Sequence, residues 1–243
     1  MEKEMKKILV VENNPKYLEA AKAYFAGVPE KTDFIEDYES AMAALPKYTN
    51  GRAFIDIFIP ESKDEKLGEV GNFLLKYIRT LLEKEKNNAI VETLKTENKP
   101  LYLSIKRALS SCGKELAGEN LVNLPLLTSS YKMVIEGAES GCYQNQELNR
   151  LVTVLKTLDD EEKKGHSPLG IILGEEARFS KIPFVFVTDA NYHGGHRGSS
   201  LIVEEFFNTK YGFKPKIFDD QFGSKGNQGF WKAAYENLQS RID

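Results

Sequence analysis

Short apolar strands alternate with helical patterns at both ends of this 243-residue chain, and that alternation constrains the fold more than any other feature. The first 61 residues predict three strands, at 7–11, 32–36 and 52–59. Two helices separate them, at 15–26 and 39–45. The last 76 residues resume the order with helices at 168–180, 199–211 and 229–242 and strands at 182–188 and 216–219. A parallel sheet covered by helices on both faces requires this order of elements.

The strand at 182–188 shows which kind of sheet to expect. Its sequence, Ile-Pro-Phe-Val-Phe-Val-Thr, is apolar almost throughout rather than alternating, which is typical of a parallel strand buried on both faces. Five strands and five helices then predict a flavodoxin-like, doubly wound α/β fold with strand order 2-1-3-4-5.

The middle of the chain has no convincing strand pattern. Apolar residues at helical spacing predict a helix from Val70 to Leu82, followed by a charge run at 83–86 that we expect to be a solvated face. Further helices are predicted at 101–116 and 146–161, and 120–141 is interpreted as loop plus a short helix. The predicted organisation is an α/β domain formed by 1–66 and 166–243, with 67–165 as an α-helical insertion after strand 3, about the size of a small domain.

Composition narrows the classes of function. The chain has 33 basic and 36 acidic residues and a net charge of -3, which predicts neither a nucleic-acid footprint nor an acidic tail. Cys112 and Cys142 follow no metal-binding spacing and are expected to be free thiols in a reducing compartment. With no export signal or membrane-spanning run in the sequence, we expect a soluble cytoplasmic protein without a membrane partner.

An acidic residue stands at the end of each of two predicted strands. Glu12 follows the first strand, and Asp56 lies in the third. If both strands are central and parallel, the two carboxylates meet at the carboxyl edge of the sheet, where open α/β sheets bind ligands. Two carboxylates there indicate a site for a cation or a phosphoryl group.

The order of these motifs resembles the receiver domain of bacterial response regulators, the phosphoacceptor module of two-component phosphorelays. The segment Ile8-Leu-Val-Val-Glu12-Asn13-Asn14-Pro15 is similar to the receiver's opening strand. The segment Asp56-Ile-Phe-Ile-Pro60-Glu61 is similar to the one that carries the phosphorylated aspartate, and the strand ending in Thr188 is similar to the fourth strand. The resemblance covers roughly 140 residues at the two ends of the chain and not the middle.

The resemblance implies a role for each matching residue. Asp56 would accept the phosphoryl group, and Thr188 would hydrogen-bond it as the switch residue. Glu12, Asn13 and Asp56 would hold Mg²⁺ together with the backbone carbonyl of Phe58. Mg²⁺ takes hard oxygen ligands of this kind and neutralises charge on a transferring phosphoryl group.

The chain also departs from the receiver pattern. Asn13 stands where the family has a second acidic residue, so we expect weaker Mg²⁺ binding. Asp219 and Asp220 stand at the end of strand 5, where the family has a lysine, and the site is expected to lack one unless Lys225 swings in from the following loop. Because like charges raise the pKa of one carboxylate, such a site either binds a metal or is degenerate.

Two loops offer further chemistry. The loop after strand 4 carries Asp189, His193 and His196, which could coordinate a transition metal or act as acid and base; the alternative is a flexible surface loop. The glycine-rich loop 223–229 carries Lys225 and is interpreted either as a phosphate cradle or as a turn before a helix.

Three functions remain open from the sequence. The first is a receiver-like signalling protein, either a working phosphoacceptor or a pseudo-receiver, with the insertion as its output element. Its partners would be a histidine kinase or a downstream effector, and the insertion could also support homo-oligomers. The second is a metal- or phosphate-dependent flavodoxin-like hydrolase or transferase that uses the sheet-edge carboxylates with His193 and His196. The third is an interaction scaffold without a ligand.

Overall fold

The computed structural model describes residues 7–60, 68–111, 113–118, 128–140, 142–163, 165–188, 198–219 and 224–239. Its five strands form one parallel sheet in the order β2-β1-β3-β4-β5. The strands are β1 Lys7–Val11, β2 Lys31–Ile35, β3 Arg52–Asp56, β4 Phe184–Val187 and β5 Ile217–Phe218. The predicted flavodoxin-like architecture and strand order are confirmed.

Nine α-helices lie in the described residues. In chain order they are α1 Pro15–Phe25, α2 Tyr38–Ala44, α3 Glu69–Glu97, α4 Lys99–Ser111, α5 Thr128–Glu139, α6 Gln146–Lys163, α7 Gly170–Phe179, α8 Gly198–Tyr211 and α9 Gln228–Gln239. Local capping explains two of their starts. The Asn14 side chain accepts a hydrogen bond from the Lys16 amide before α1, and Asp37 accepts one from the Ser40 amide before α2.

Alternating side chains of the strands pack against helices on the two faces of the sheet. On one face, Ile8, Val10 and Phe54 join a buried cluster with α1 and α9, centred on Phe25 and Trp231. On the other face, α7 approaches so closely that a Cβ on Gly174 would lie 2.3 Å from the Phe186 ring. The central strands β1 and β3 are therefore covered on both sides, and all their residues except Lys7 are buried.

The ends of several elements differ from the sequence prediction. β3 stops at Asp56 rather than at residue 59, because the next residues turn to the returning chain: the Gly170 amide donates to the Ile57 carbonyl at 3.1 Å, and Ile59 forms an isolated parallel bridge with Pro168. β4 begins after Pro183, which has no N–H to donate. A 3₁₀ turn at Leu45–Tyr48 was not predicted.

The charge run at 83–86 does not end a helical stripe, and the prediction of a solvated face there is wrong for Lys86. α3 continues to Glu97, and Lys86 is only 8% exposed. Its ammonium lies 2.5 Å from Glu83, three positions earlier, so the pair is accommodated on one side of the helix. Apolar burial then resumes at Ala89, Ile90 and Leu94.

The chain divides into two compact units, one formed by 1–76 and 160–243 and the other by 77–159. In the second unit a buried polar contact joins α3 to the residue before α6: the Asn145 amide donates to the Thr93 hydroxyl at 2.7 Å. α4 ends at Ser111 rather than at the predicted 116, and Gly113 follows with a positive φ of 69°. In the described ranges, every helix is too short or too polar to cross a bilayer.

Candidate site at the carboxyl edge of the sheet

The fold brings Glu12 and Asp56 to the same edge of the sheet. Glu12 directly follows β1, and its amide donates to the Ile35 carbonyl at 2.9 Å, so it lies level with the end of β2. Asp56 is the last residue of β3, which pairs with β1 through Val11 and Ile55. Glu12 is fully buried and Asp56 is 8% exposed, so both charges need partners.

Lys225 supplies that partner for both carboxylates. Its Nζ lies 2.5 Å from Glu12 Oε2 and 2.8 Å from Asp56 Oδ1, and it also donates to the Val187 carbonyl at 3.3 Å. The Lys225 side chain is completely buried. Of the two alternatives left open by the sequence, a site without a lysine is wrong, and the approach of Lys225 from the loop after β5 is confirmed.

Contacts with the core hold the backbone of Lys225 in place. The indole N–H of Trp231 in α9 donates to the Lys225 carbonyl at 2.9 Å, and Trp231 itself is fully buried. The Asn227 amide donates to the Ser224 carbonyl at 2.9 Å, which closes a turn before α9. The described part of this loop is thus a turn whose lysine points to the sheet edge; a phosphate-cradling role remains a prediction.

The charges of the cluster do not cancel completely. Burial alone would lower the pKa of the Lys225 ammonium, but the negative charges of Asp56 and Glu12 outweigh it and raise that pKa above its usual value. Lys225 is therefore protonated, and one ammonium faces two carboxylates. The Asn14 amide donates to Glu12 Oε1 at 2.8 Å, and the Ile57 amide donates to Asp56 Oδ1 at 2.9 Å. Glu12 Oε2 is paired with the Lys225 ammonium, 2.5 Å away.

The oxygen atoms at this edge are of the chemical type that Mg²⁺ binds. Two carboxylates, the half-buried Asn13 amide and the Phe58 carbonyl belong to segments that leave neighbouring strands, and Mg²⁺ prefers such hard oxygens. Lys225 contacts both carboxylates and would compete with a cation for them. Within the described part of the chain, no group of three or more His, Cys, Asp or Glu side chains could hold a metal.

The structure places Thr188 beside the cluster. Val187 pairs with Asp56 across β4 and β3, and Thr188 is the next residue. It is 2% exposed, and its amide donates to the Phe218 carbonyl of β5 at 2.9 Å. Asp219, after β5, is 4% exposed. The other predicted site residues lie outside the described residues: Asp189, His193, His196 and Asp220.

Gly170 is a site residue that sequence reasoning missed. A Cβ at this position would lie 2.0 Å from the Asp56 carbonyl oxygen and 2.9 Å from its carbonyl carbon. The first turn of α7 therefore packs directly on the backbone of Asp56, and only glycine leaves room for it. The one available signal was a glycine immediately after Pro168-Leu169, where a helix was expected to be under way.

Comparisons of the chain with family models, with curated proteins and with solved structures gave no match.

Proposed function

We propose that the chain is a receiver-like signalling module in which Asp56 accepts a phosphoryl group. One observation carries the proposal: the buried Lys225 ammonium contacts both Glu12 and Asp56 at the carboxyl edge of a sheet with order 2-1-3-4-5. Thr188 follows the strand next to Asp56. Together these residues provide an acceptor carboxylate, a second acid, a cation and a hydroxyl group.

Three side chains would take part in the phosphotransfer: Asp56, Lys225 and Thr188. An Asp56 carboxylate oxygen would attack the phosphorus of a donor such as acetyl phosphate, the bond from phosphorus to the acetate oxygen would break, and acetate would leave. Lys225, already 2.8 Å from Asp56, would then pair with the negative charge of the acyl phosphate. The Thr188 hydroxyl would donate a hydrogen bond to a phosphoryl oxygen. Asp56 is the most exposed of the three charged side chains, at 12%, so a small donor would approach it first.

The site would hold Mg²⁺ through Glu12, Asp56, the Asn13 amide oxygen and the Phe58 carbonyl. Mg²⁺ supplies positive charge against the phosphoryl oxygens when it is bound. Because Asn13 is neutral where a second acid would stand, and because Lys225 already contacts both carboxylates, we expect weak binding.

The same contacts also support a switch without phosphorylation. In the unmodified protein, Lys225 already bridges both carboxylates, and Glu12 and Lys225 are completely buried. A pseudo-receiver would keep this closed arrangement and change state only by binding a partner. The difference between the two forms is whether Asp56 reacts.

Intact mass after incubation with Mg²⁺ and acetyl phosphate tests the phosphoacceptor form. We expect the wild type to gain one phosphoryl group, about 80 Da, and a net charge change of about one negative unit, because the acyl phosphate replaces the ionised Asp56 carboxylate. Asp56→Asn should gain nothing. Asp160→Asn, which changes an exposed carboxylate paired with Lys163 at 3.3 Å, should react like the wild type.

The other outcomes of the intact-mass experiment would each reject part of the proposal. A folded wild type without the adduct would reject the phosphoacceptor and favour the pseudo-receiver. An adduct that persists in Asp56→Asn would reject Asp56 as the acceptor. Continuous release of phosphate over many turnovers would favour a hydrolase instead.

The helical residues 67–165 would act as the output or partner-binding element, for a histidine kinase or an effector. This assignment is supported by the order of the chain: residues 57–59 follow Asp56 and precede the insertion, and Ile59 forms a bridge with Pro168, which follows the insertion. Hydrogen exchange with and without acetyl phosphate tests it. Protection should change within 67–165 in the wild type and not in Asp56→Asn; unchanged protection in both would reject the assignment.

A further inference from the structure

Two exposed aromatic side chains lie together at the ends of α7 and α8. Phe179 is 63% exposed and Phe213 is 39% exposed. They are two of the six large apolar side chains that are exposed in the described ranges: Phe73, Tyr77, Leu103, Met133, Phe179 and Phe213. From the sequence, Phe179 is interpreted as a core aromatic rather than as part of a nucleic-acid stacking platform, and a core position is wrong for it. Its ring centroid lies 6.2 Å from that of Tyr211.

Arg178 is held between these rings. Its guanidinium carbon lies 4.6 Å from the centroid of Tyr211, 5.8 Å from that of Phe179 and 5.7 Å from that of Phe213. Aromatic faces attract a guanidinium group and restrict its orientation. Arg178 forms no ion pair with any described carboxylate, so a positioned, exposed fork of N–H donors remains available.

The charges around Arg178 are unbalanced. The nearby acid Glu175 is already satisfied by the Lys210 ammonium at 2.7 Å and by the Tyr211 hydroxyl. Lys181 is two residues after Phe179, and Lys214 directly follows Phe213. Both lysines are exposed, and neither forms an ion pair with the described residues. Glu176, the other acid of α7, accepts a hydrogen bond from the Ser180 hydroxyl. In the described residues, three cations without an ion pair therefore stand near the exposed rings in sequence, against this one acid.

This surface lies far from the carboxylate cluster. α7 begins at Gly170, whose amide bonds to the segment just after Asp56, and ends at Phe179. Nine residues of helix span roughly 13 Å, so Arg178 and Phe179 lie toward the opposite edge of the sheet. A ligand here would not occupy the phosphoryl site.

We propose that this cationic aromatic patch, formed by Arg178, Phe179, Lys181, Tyr211, Phe213 and Lys214, binds an acidic segment of a partner protein. An Asp or Glu of that segment would accept two hydrogen bonds from Arg178, and a neighbouring aliphatic or aromatic side chain would pack on Phe179 and Phe213. Aromatic and arginine side chains are the residues that dominate protein interfaces. A nucleic acid fits less well, since it requires a basic stripe along its backbone, and the cations of this patch are limited to Arg178, Lys181 and Lys214 besides the paired Lys210.

Fluorescence anisotropy with the full chain tests the proposal. The probe is a labelled peptide of about 12 residues that alternates Asp and Glu with Leu and Phe. Its analogue with Asn and Gln in place of the acids is the matched control, and a labelled oligothymidylate is the competing class. We expect the acidic peptide to bind about tenfold more tightly than the amide analogue, with affinity falling as salt rises.

Variants locate the binding. Arg178→Gln and Phe179→Ser should each weaken the acidic peptide about tenfold. Arg107→Gln and Phe73→Ser change equally exposed residues elsewhere and should leave affinity unchanged. Because all four positions are on the surface, the variants should retain the wild-type circular dichroism spectrum. No binding at about 1 mM peptide, equal binding of the amide analogue, unchanged affinity in Arg178→Gln, or tighter binding of the oligothymidylate would each overturn the proposal.

Discussion

Replacing Lys225 with methionine should show how strongly the buried cluster depends on its only described cation. The substitution keeps an unbranched apolar stem that is one atom shorter, and it leaves Glu12 and Asp56 facing each other without an ammonium. Glu12 and Lys225 are completely buried and the Asp56 side chain is 12% exposed, so water can replace the lost partner only in part, at Asp56. Removing one member of a buried ion pair typically costs about 3–5 kcal/mol, and we expect a loss of about 3 kcal/mol in the free energy of unfolding at pH 7.

Urea unfolding followed by circular dichroism and by the fluorescence of Trp231 measures this loss. Lys232→Met is the matched control, because Lys232 is exposed and its contact with Glu236 is a surface pair at 3.8 Å; it should change stability by less than about 0.5 kcal/mol. The double variant Glu12→Gln/Lys225→Met should recover part of the lost stability, since it removes one of the two negative charges that repel each other. Equal losses in Lys225→Met and Lys232→Met would refute the reasoning.

The pH dependence of the free energy of unfolding is a second test of the same cluster. The folded-state pKa of Lys225 is raised above the usual 10.5, so its contribution to stability is fully present below that value and is lost as the pH rises through the folded-state pKa. The advantage of the wild type over Lys225→Met should therefore be constant from about pH 7 to 10 and shrink above that range. An advantage that grew above pH 11 would contradict the assignment of the ion pair.

Two further predictions test the packing of the sheet. Gly170→Ala should lower the melting temperature in calorimetry, because its Cβ would lie 2.0 Å from the Asp56 carbonyl oxygen. This clash should outweigh the better helix propensity of alanine, which is worth about 1 kcal/mol. In the control Gly229→Ala, where nothing lies within 4 Å of the new Cβ, the melting temperature should not fall, and equal melting temperatures of the two variants would contradict the close approach. Burial and then the charge of Tyr235 raise the pKa of Tyr24 to about 12, so Tyr24 contributes stability below pH 10 that is lost as the pH rises toward 12. Tyr24→Phe should therefore lose less stability over that pH range than the wild type in the same urea assay. An equal loss in both proteins would show that Tyr24 does not cause the loss of stability.

Much of the fold was predictable because its signals are local. Strands buried on both faces must be apolar along their length, and 7–11 and 182–188 show this directly. Their order follows from the alternation with helices. The ends were less predictable, since they depend on distant partners: β3 stops at Asp56 because the next residues bond to Gly170 and Pro168. The charge run at 83–86 misled for a similar reason, as Lys86 is buried beside Glu83.

The candidate site also contains residues that could be predicted from the sequence and one whose position could not. Glu12, Asp56 and Thr188 stand at strand ends, so the sheet alone brings them together. Lys225 stands in a loop, and its position depends on the path of that loop and on the hydrogen bond from Trp231. No local pattern reports such a contact.

The helical insertion also sets the order in which the sheet can be completed on the ribosome. β3 and β4 are neighbours, yet paired residues such as Ala53 and Phe184 lie about 130 positions apart in the chain. At typical rates of about 5–20 residues per second, β3 emerges roughly 6–26 s before the strand that covers its edge. The N-terminal three strands must wait through that interval with one edge open, and unpaired strand edges promote association with other chains. Helices rich in local contacts form quickly, so the residues made during the delay can fold while the sheet is still incomplete.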